Sequence, residues 1–166
     1  MDLKSDAGQR REIYFPKAPE EKAGGDMSKT FDEIRVGDSA THARTITADD
    51  IDVYAKLTDD YNPMHMDDEF AKKNTKFGGR IAHGPMTLGL IAPVIGMKLP
   101  GPGCLLMSLN STYLKPVRVG DHVTATGEVA EKDEKRRAVR MALRFVNQHG
   151  EEVVRGEAWV LPPKSK

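Results

Sequence analysis

The chain has 166 residues, which is enough for one domain that buries about two-thirds of its unfolded surface without disulfides. Its 25 basic and 25 acidic residues cancel, so no overall field attracts nucleic acid or an anionic membrane, and neither partner is expected. The single cysteine, Cys104, cannot form an internal disulfide, and no signal peptide or membrane span is recognisable, so we expect a cytoplasmic protein.

The first 28 residues differ in composition from the rest of the chain. They are charged and rich in Pro, Gly and Lys, which is typical of a tail. A native extension and a non-native remnant both fit this composition. Residues 29–166 are expected to form one domain.

The first half of the domain is predicted to contain one strand and one capped helix. A strand is predicted over residues 39–46, with weak alternation of apolar side chains. Thr47, with Asp50 three residues later, comes close to a capping box for a helix that ends near Thr58. Its apolar positions, Val53 and Leu57 among them, are expected on one side. Residues 59–63 are predicted as a loop, because an Asn before Pro is disfavoured in helical geometry.

The second half is predicted to hold a buried helix and then four strands. A short helix over residues 67–71 precedes an apolar helix that begins at Gly84 and is wrapped by protein on all sides. Pro93 predicts a kink or an early end in this helix. Short links between the later strands predict an antiparallel meander of residues 105–117, 121–131, 136–148 and 153–161. These elements indicate an α+β fold, a curved antiparallel sheet wrapped around a central helix.

The motif D-x-N-P-x-H contains the residues best suited to catalysis. A carboxylate and a neutral imidazole can together hold a water molecule, take its proton and return a proton elsewhere on the substrate. Asn62 and Pro63 restrict the chain between Asp60 and His65, so both functional groups can face one pocket. A turn with a structural histidine fits the same spacing, so both interpretations stay open here.

A second candidate feature is the start of the apolar helix. His83 directly precedes it, a position typical of a structural hydrogen-bond partner, while the N–H of Gly84 could bind a developing oxyanion. Pro85 has no N–H, which leaves Gly84 as the main candidate. His65 with Asp67 lacks the ligand set of a zinc site, so no metal is predicted.

The motif Y-A-x-x-x-x-D-x-N-P-x-H-x-D, followed by F-G and by I-A-H-G at a helix start, closely resembles the (R)-specific enoyl-CoA hydratases of the MaoC-like family. Looser similarity continues through residues 99–103 and 115–121, so the resemblance covers about residues 31–162. It implies a hot-dog fold, a homodimer or dimer of dimers, a catalytic dyad of Asp60 and His65, and the N–H of Gly84 as oxyanion donor. The implied reaction is reversible hydration of trans-2-enoyl-CoA to (R)-3-hydroxyacyl-CoA, without a metal or redox cofactor. Asn62, Pro63 and His83 would support the site.

Two positions depart from the family pattern, and two other functions fit the same motif. Pro85 follows Gly84 where Met is usual, and Ala92 or Pro93 stands where some members carry Ser. One alternative is an (R)-3-hydroxyacyl-ACP dehydratase, which a basic face at the pocket mouth would favour, formed by Lys72, Lys73, Lys76 and Lys98. The other is a non-catalytic hot-dog subunit that binds acyl thioesters.

Overall fold

The computed structural model describes residues 28–164, so the predicted N-terminal segment lies outside the described residues apart from Ser28. Five strands and five short helices form within the described range. In chain order they are β1 (Ser39–Thr45), α1 (Ala48–Thr58), α2 (Pro63–Met66), α3 (Asp68–Asn74), α4 (Gly84–Leu88), α5 (Ala92–Met97), β2 (Leu105–Tyr113), β3 (His122–Asp133), β4 (Ala138–Val146) and β5 (Glu152–Leu161).

The strands form one antiparallel sheet in the order β1-β3-β4-β5-β2. The predicted meander is confirmed for β3, β4 and β5 but is wrong for β2. The reason is that β1 occupies the free edge of β3, where Ser39 pairs with Glu128. β2 therefore crosses to the far edge and pairs with β5, with Leu109 opposite Ala158. The two edges of the sheet are β1 and β2.

The central helical segment packs on one face of this sheet. It consists of α4, a 3₁₀ turn at Gly89–Ile91, and α5. A Cβ at Gly127 in β3 would lie 3.2 Å from Val94, so the glycine allows the helix to approach the sheet closely. This sheet and central helix form the α+β hot-dog fold that the sequence indicates. No helix of the described chain has both the length and the apolar character needed to cross a membrane.

The interruption of the central helix has the cause that the sequence predicts. Pro93 has no N–H to donate to the carbonyl oxygen of Gly89, and the N–H of Ala92 takes that oxygen instead. The resulting 3₁₀ turn separates α4 from α5. The expectation that the segment is wrapped on all sides is wrong, because Pro85, Gly89 and Met97 are exposed.

Helix α1 begins as predicted, but its buried face differs from the prediction. The capping box is formed, with the Thr47 hydroxyl accepting from the N–H of Asp50 and the Asp50 carboxylate accepting from the N–H of Thr47. Ile51 and Ala55, one turn apart, are fully buried. Val53 and Leu57 are exposed, because they come two positions after the buried Ile51 and Ala55, and residues two positions apart lie on nearly opposite sides of a helix.

Candidate active site

Asn62 and Pro63, which were predicted to lie in a loop, form the start of the short helix α2. Pro63 is the first residue of α2, a position where its missing N–H costs no helical hydrogen bond. Asn62 caps this helix, its side-chain oxygen accepting from the N–H of Met64 at 3.2 Å. The loop is therefore shorter than predicted, and His65 lies within α2.

The imidazole of His65 is buried and held in one tautomer. Its Nδ1 lies 2.8 Å from the carbonyl oxygen of Ile81. Because a carbonyl oxygen only accepts, Nδ1 carries the proton and Nε2 keeps its lone pair. Burial lowers the pKa of His65 below the ordinary value of 6.5, and the hydrogen bond to Ile81 opposes this only in part. Near neutral pH the ring is therefore a neutral base.

Asp60, His65 and His83 come together in the folded chain. One polar side-chain atom of each lies within 4.8 Å of the others. The His83 ring stacks on the His65 ring at a centroid distance of 4.0 Å, and its Nε2 donates to the main-chain oxygen of Asp60 at 3.0 Å. The Asp60 carboxylate is about half exposed and lies 3.9 Å from the same Nε2. The half-exposed Asp60 carboxylate thus lies close to two buried imidazoles, His65 and His83.

These three side chains also have the spacing of a metal site, but their hydrogen bonds suit proton transfer better. Nε2 of His83 carries a proton, which it donates to the main-chain oxygen of Asp60, so this nitrogen cannot bind a metal ion in this arrangement. Nδ1 of His83 is buried and has no hydrogen-bond partner among the described residues. Asp67 contributes nothing to the cluster, since it caps α3 by accepting from the N–H of Phe70.

Gly84 lies at the wall of a cavity of about 420 Å³ that also reaches His65. The ring of Tyr113 packs directly on this glycine, and a Cβ at position 84 would lie 3.0 Å from it. The N–H of Gly84 donates no hydrogen bond within the described part of the chain. The remaining lining is mostly apolar and comes from Lys76, Phe77, Ile81, Ala82, Thr87, Leu114, Lys115, Pro116, Val117 and Val154.

Three contributors to this region were missed by sequence reasoning. Tyr54 of α1 packs beside His83 at a centroid distance of 4.9 Å, and Tyr113 covers Gly84. Arg80, in the link between α3 and α4, donates through Nε to the main-chain oxygen of His65. Its partners are distant in sequence, so no local pattern indicates the contact.

A central helix on a five-stranded antiparallel sheet defines a hot-dog protein, and the carboxylate and two imidazoles near the helix start form its candidate site. The sequence model described as "MaoC like domain" matches residues 34–149. The chain belongs to this MaoC-like family, which confirms the resemblance seen in its motifs.

Named relatives agree with this assignment. A 3-hydroxybutyryl-CoA dehydratase of Methylorubrum extorquens is 42% identical over 137 residues, covering 82% of this chain and 85% of that protein. An (R)-specific enoyl-CoA hydratase of Rhodospirillum rubrum is 38% identical, covering 80% and 91%. The unliganded R-hydratase PhaJ1 from Pseudomonas aeruginosa superposes with a TM-score of 0.76 at 36% identity, covering 82% of this chain and 86% of the other.

Proposed function

We propose that the chain is an (R)-specific enoyl-CoA hydratase, a hydro-lyase that reversibly adds water to trans-2-enoyl-CoA to give (R)-3-hydroxyacyl-CoA. The observation that carries the proposal is the meeting of the Asp60 carboxylate with the neutral His65 imidazole, within 4.8 Å. His65 and Gly84 line the same cavity, so a substrate carbonyl bound at Gly84 would lie near the base. The relatives named above carry out this hydration or its reverse, according to their names.

The proposed reaction begins with a water molecule held between Asp60 and His65. Nε2 of His65 is free to accept, because Nδ1 donates to Ile81. As the water oxygen forms a bond to the β-carbon, this pair takes a proton from the water. The π electrons of the enoyl double bond move toward the thioester oxygen, and a proton returned from the pair to the α-carbon completes the addition. The reverse sequence is dehydration.

The N–H of Gly84 would stabilise the charge that develops on the thioester oxygen. It donates no hydrogen bond within the described chain, and Gly84 lines the cavity. A preorganised donor of this kind stabilises the enolate-like transition state more than the neutral substrate. Proton transfer and this hydrogen bond together require no metal or redox cofactor, so we propose that none takes part.

The positions of the surface lysines support coenzyme A over acyl carrier protein as the carrier. Of the four lysines considered as a basic face, only Lys76 lines the cavity. Lys72 is paired with Asp68, Lys98 donates to a main-chain oxygen of β1, and Lys73 is exposed on α3. Lys115 also lines the cavity but is paired with Glu151. A continuous basic docking face is therefore not formed by these residues.

We further propose that the protein is a cytoplasmic homodimer joined through β2. This strand is an edge of the sheet, and side chains at its start are unusually exposed for their type: Leu105 by 62%, Leu106 by 44% and Met107 by 51%. Exposed apolar edge strands favour pairing with a second copy. Light scattering during size-exclusion chromatography should give the mass of two chains, and Leu106→Lys should give the mass of one.

The function is tested by the ultraviolet absorbance of crotonyl-CoA, whose enoyl thioester band disappears on hydration. The wild-type protein should remove this band, and chiral chromatography of the hydrolysed product should give (R)-3-hydroxybutyrate. Asp60→Asn and His65→Ala should each slow the reaction by roughly 10²- to 10⁴-fold. No reaction of a folded wild-type protein with short or long enoyl-CoAs would refute the proposal. Faster reaction with crotonyl-ACP would replace it with the dehydratase alternative.

A further inference from the structure

We infer that Arg80 is a positioning residue for the reaction. Its side chain holds the His65 main chain in place and brings a positive charge close to the His65 imidazole. This inference rests on the proposed function, because it concerns how His65 acts as the base. No role for Arg80 is predicted from the sequence, and its contacts appear only in the folded chain.

Helix α2 needs an external partner, because it has only four residues. A helix of this length satisfies few of its own main-chain groups and has little stability alone. At its two ends, the N–H groups of His65 and Asp67 donate to the carbonyl oxygens of Asn62 and Pro63. The position of His65 therefore depends on contacts made from outside α2.

The segment that contains Arg80 makes three of those outside contacts. Nε of Arg80 donates to the main-chain oxygen of His65, an oxygen at the end of α2 that lacks a helical partner. The N–H of Ile81 donates to the oxygen of Met64 at 3.4 Å, and the oxygen of Ile81 accepts from Nδ1 of His65 at 2.8 Å. The Arg80 side chain thus holds the His65 main chain, while the hydrogen bond to Ile81 orients the His65 imidazole.

Arg80 is itself held by the helices on either side of α2. Its guanidinium forms an ion pair with Asp52 of α1, and its own N–H donates to the Asp68 carboxylate of α3 at 3.1 Å. The side chain is only 16% exposed, so these bonds are partly shielded from water. The planar guanidinium binds the main-chain oxygen of His65 and the Asp52 carboxylate in different directions at once, which an ammonium group cannot reproduce.

The charge of Arg80 also acts on the imidazole. After burial and the hydrogen bond to Ile81, three ionisable groups affect the pKa of His65: His83 lowers it, Asp60 raises it, and Arg80 lowers it by the smallest amount. The cations at the cavity wall are Lys76 and Lys115, and Lys115 is paired with Glu151. Removing the charge of Arg80 should raise the pKa of His65, whereas Arg80→Lys keeps the charge and should leave the pKa in place.

The test compares wild type with Arg80→Met, Arg80→Lys and the control Arg140→Met. Arg140 likewise joins two acidic side chains, Glu131 and Glu157, but lies on the sheet away from the site. For each protein, kcat and KM for crotonyl-CoA are measured, and the His65 imidazole is titrated by NMR, which needs no turnover.

Arg80→Met should lower kcat on the order of a hundredfold with little change in KM, because a small displacement of a catalytic base slows the chemical step. Its His65 should titrate at higher pH than in wild type. Arg80→Lys should keep the wild-type titration and recover part of kcat, and Arg140→Met should match wild type. If circular dichroism shows that Arg80→Met does not fold, Arg80→Lys becomes the test. It should have a kcat below that of wild type and an unchanged His65 titration.

Wild-type kcat in either Arg80 variant would overturn the inference. An unmoved His65 titration in folded Arg80→Met would also overturn it, since a purely structural contact leaves that titration unchanged. Failure of the proposed function would look different: wild type itself would not hydrate crotonyl-CoA, while the His65 titration of Arg80→Met would still report whether the guanidinium acts on the imidazole.

Discussion

The sheet and the segment from Asp60 to Gly84 are stabilised by different interactions. In the sheet, alternate side chains such as Val123, Met141 and Phe145 are fully buried, and apolar burial supplies the stability. In the segment, the groups proposed for catalysis are held mainly by hydrogen bonds between side chains and the main chain. Substitutions in the sheet should therefore change the free energy of unfolding, and substitutions in the segment should change the rate of reaction.

The largest expected effect on stability is that of Phe145→Ala. Removing a fully buried aromatic ring leaves a cavity and should cost about 3–5 kcal/mol of unfolding free energy. Denaturation with urea measures this cost, and Val36→Ala, at a side chain 62% exposed, is the control. Activity per folded molecule should stay near wild type. A large loss of activity without a loss of stability would contradict the separation of the two regions.

Gly84→Ala should have the opposite pattern, with activity lost and stability nearly kept. The new Cβ would lie 3.0 Å from the Tyr113 ring, which must move, and a displaced wall should slow hydration by about ten- to a hundredfold. The main-chain N–H remains, so adding Tyr113→Ala should restore part of kcat. Gly96→Ala, where a Cβ meets nothing within 4 Å, is the control. Failure of the double variant to recover would refute the steric explanation.

A smaller stability effect is expected from Thr47→Ala at the start of α1. The capping box is lost, which should cost about 1 kcal/mol of unfolding free energy. Thr58→Ala at the end of the same helix removes only an exposed hydroxyl contact and serves as the control. Thermal melting and the crotonyl-CoA assay distinguish the outcomes. A drop in kcat comparable to that of Asp60→Asn would show that α1 is part of the catalytic segment.

The smallest effect concerns pH. Burial lowers the pKa of His65 below 6.5, so the ring is neutral above pH 6.5 and charges only as the pH falls through its lower folded value. A plot of kcat/KM against pH should therefore decline on the acid side with a midpoint below 6.5. The unfolded chain binds this proton at higher pH than the folded chain, so acidification below pH 6.5 also favours unfolding. A midpoint above 6.5 would contradict the assignment of His65 as the buried base.

Much of the fold and part of the site were predictable from the sequence. Alternation of apolar residues predicts β3, β4 and β5, and Thr47 with Asp50 predicts the start of α1. Pro93 predicts the break in the central helix. The short spacing of Asp60 and His65 predicts that their side chains can come close together, and the folded chain brings their polar atoms within 4.8 Å. Each of these patterns acts over a few residues, which is why the sequence alone determines them.

The tertiary structure decided the rest. β2 pairs with β5 because β1 already occupies the edge of β3, which depends on the path of the whole chain. Val53 and Leu57 are exposed because Ile51 and Ala55 form the contact face. Arg80 contacts His65, 15 residues away in sequence, and Asp52, 28 residues away. Local sequence patterns do not predict contacts at such separations. Hydrogen bonds between residues far apart in sequence are selected by packing, so only the folded chain shows how the proposed base is held.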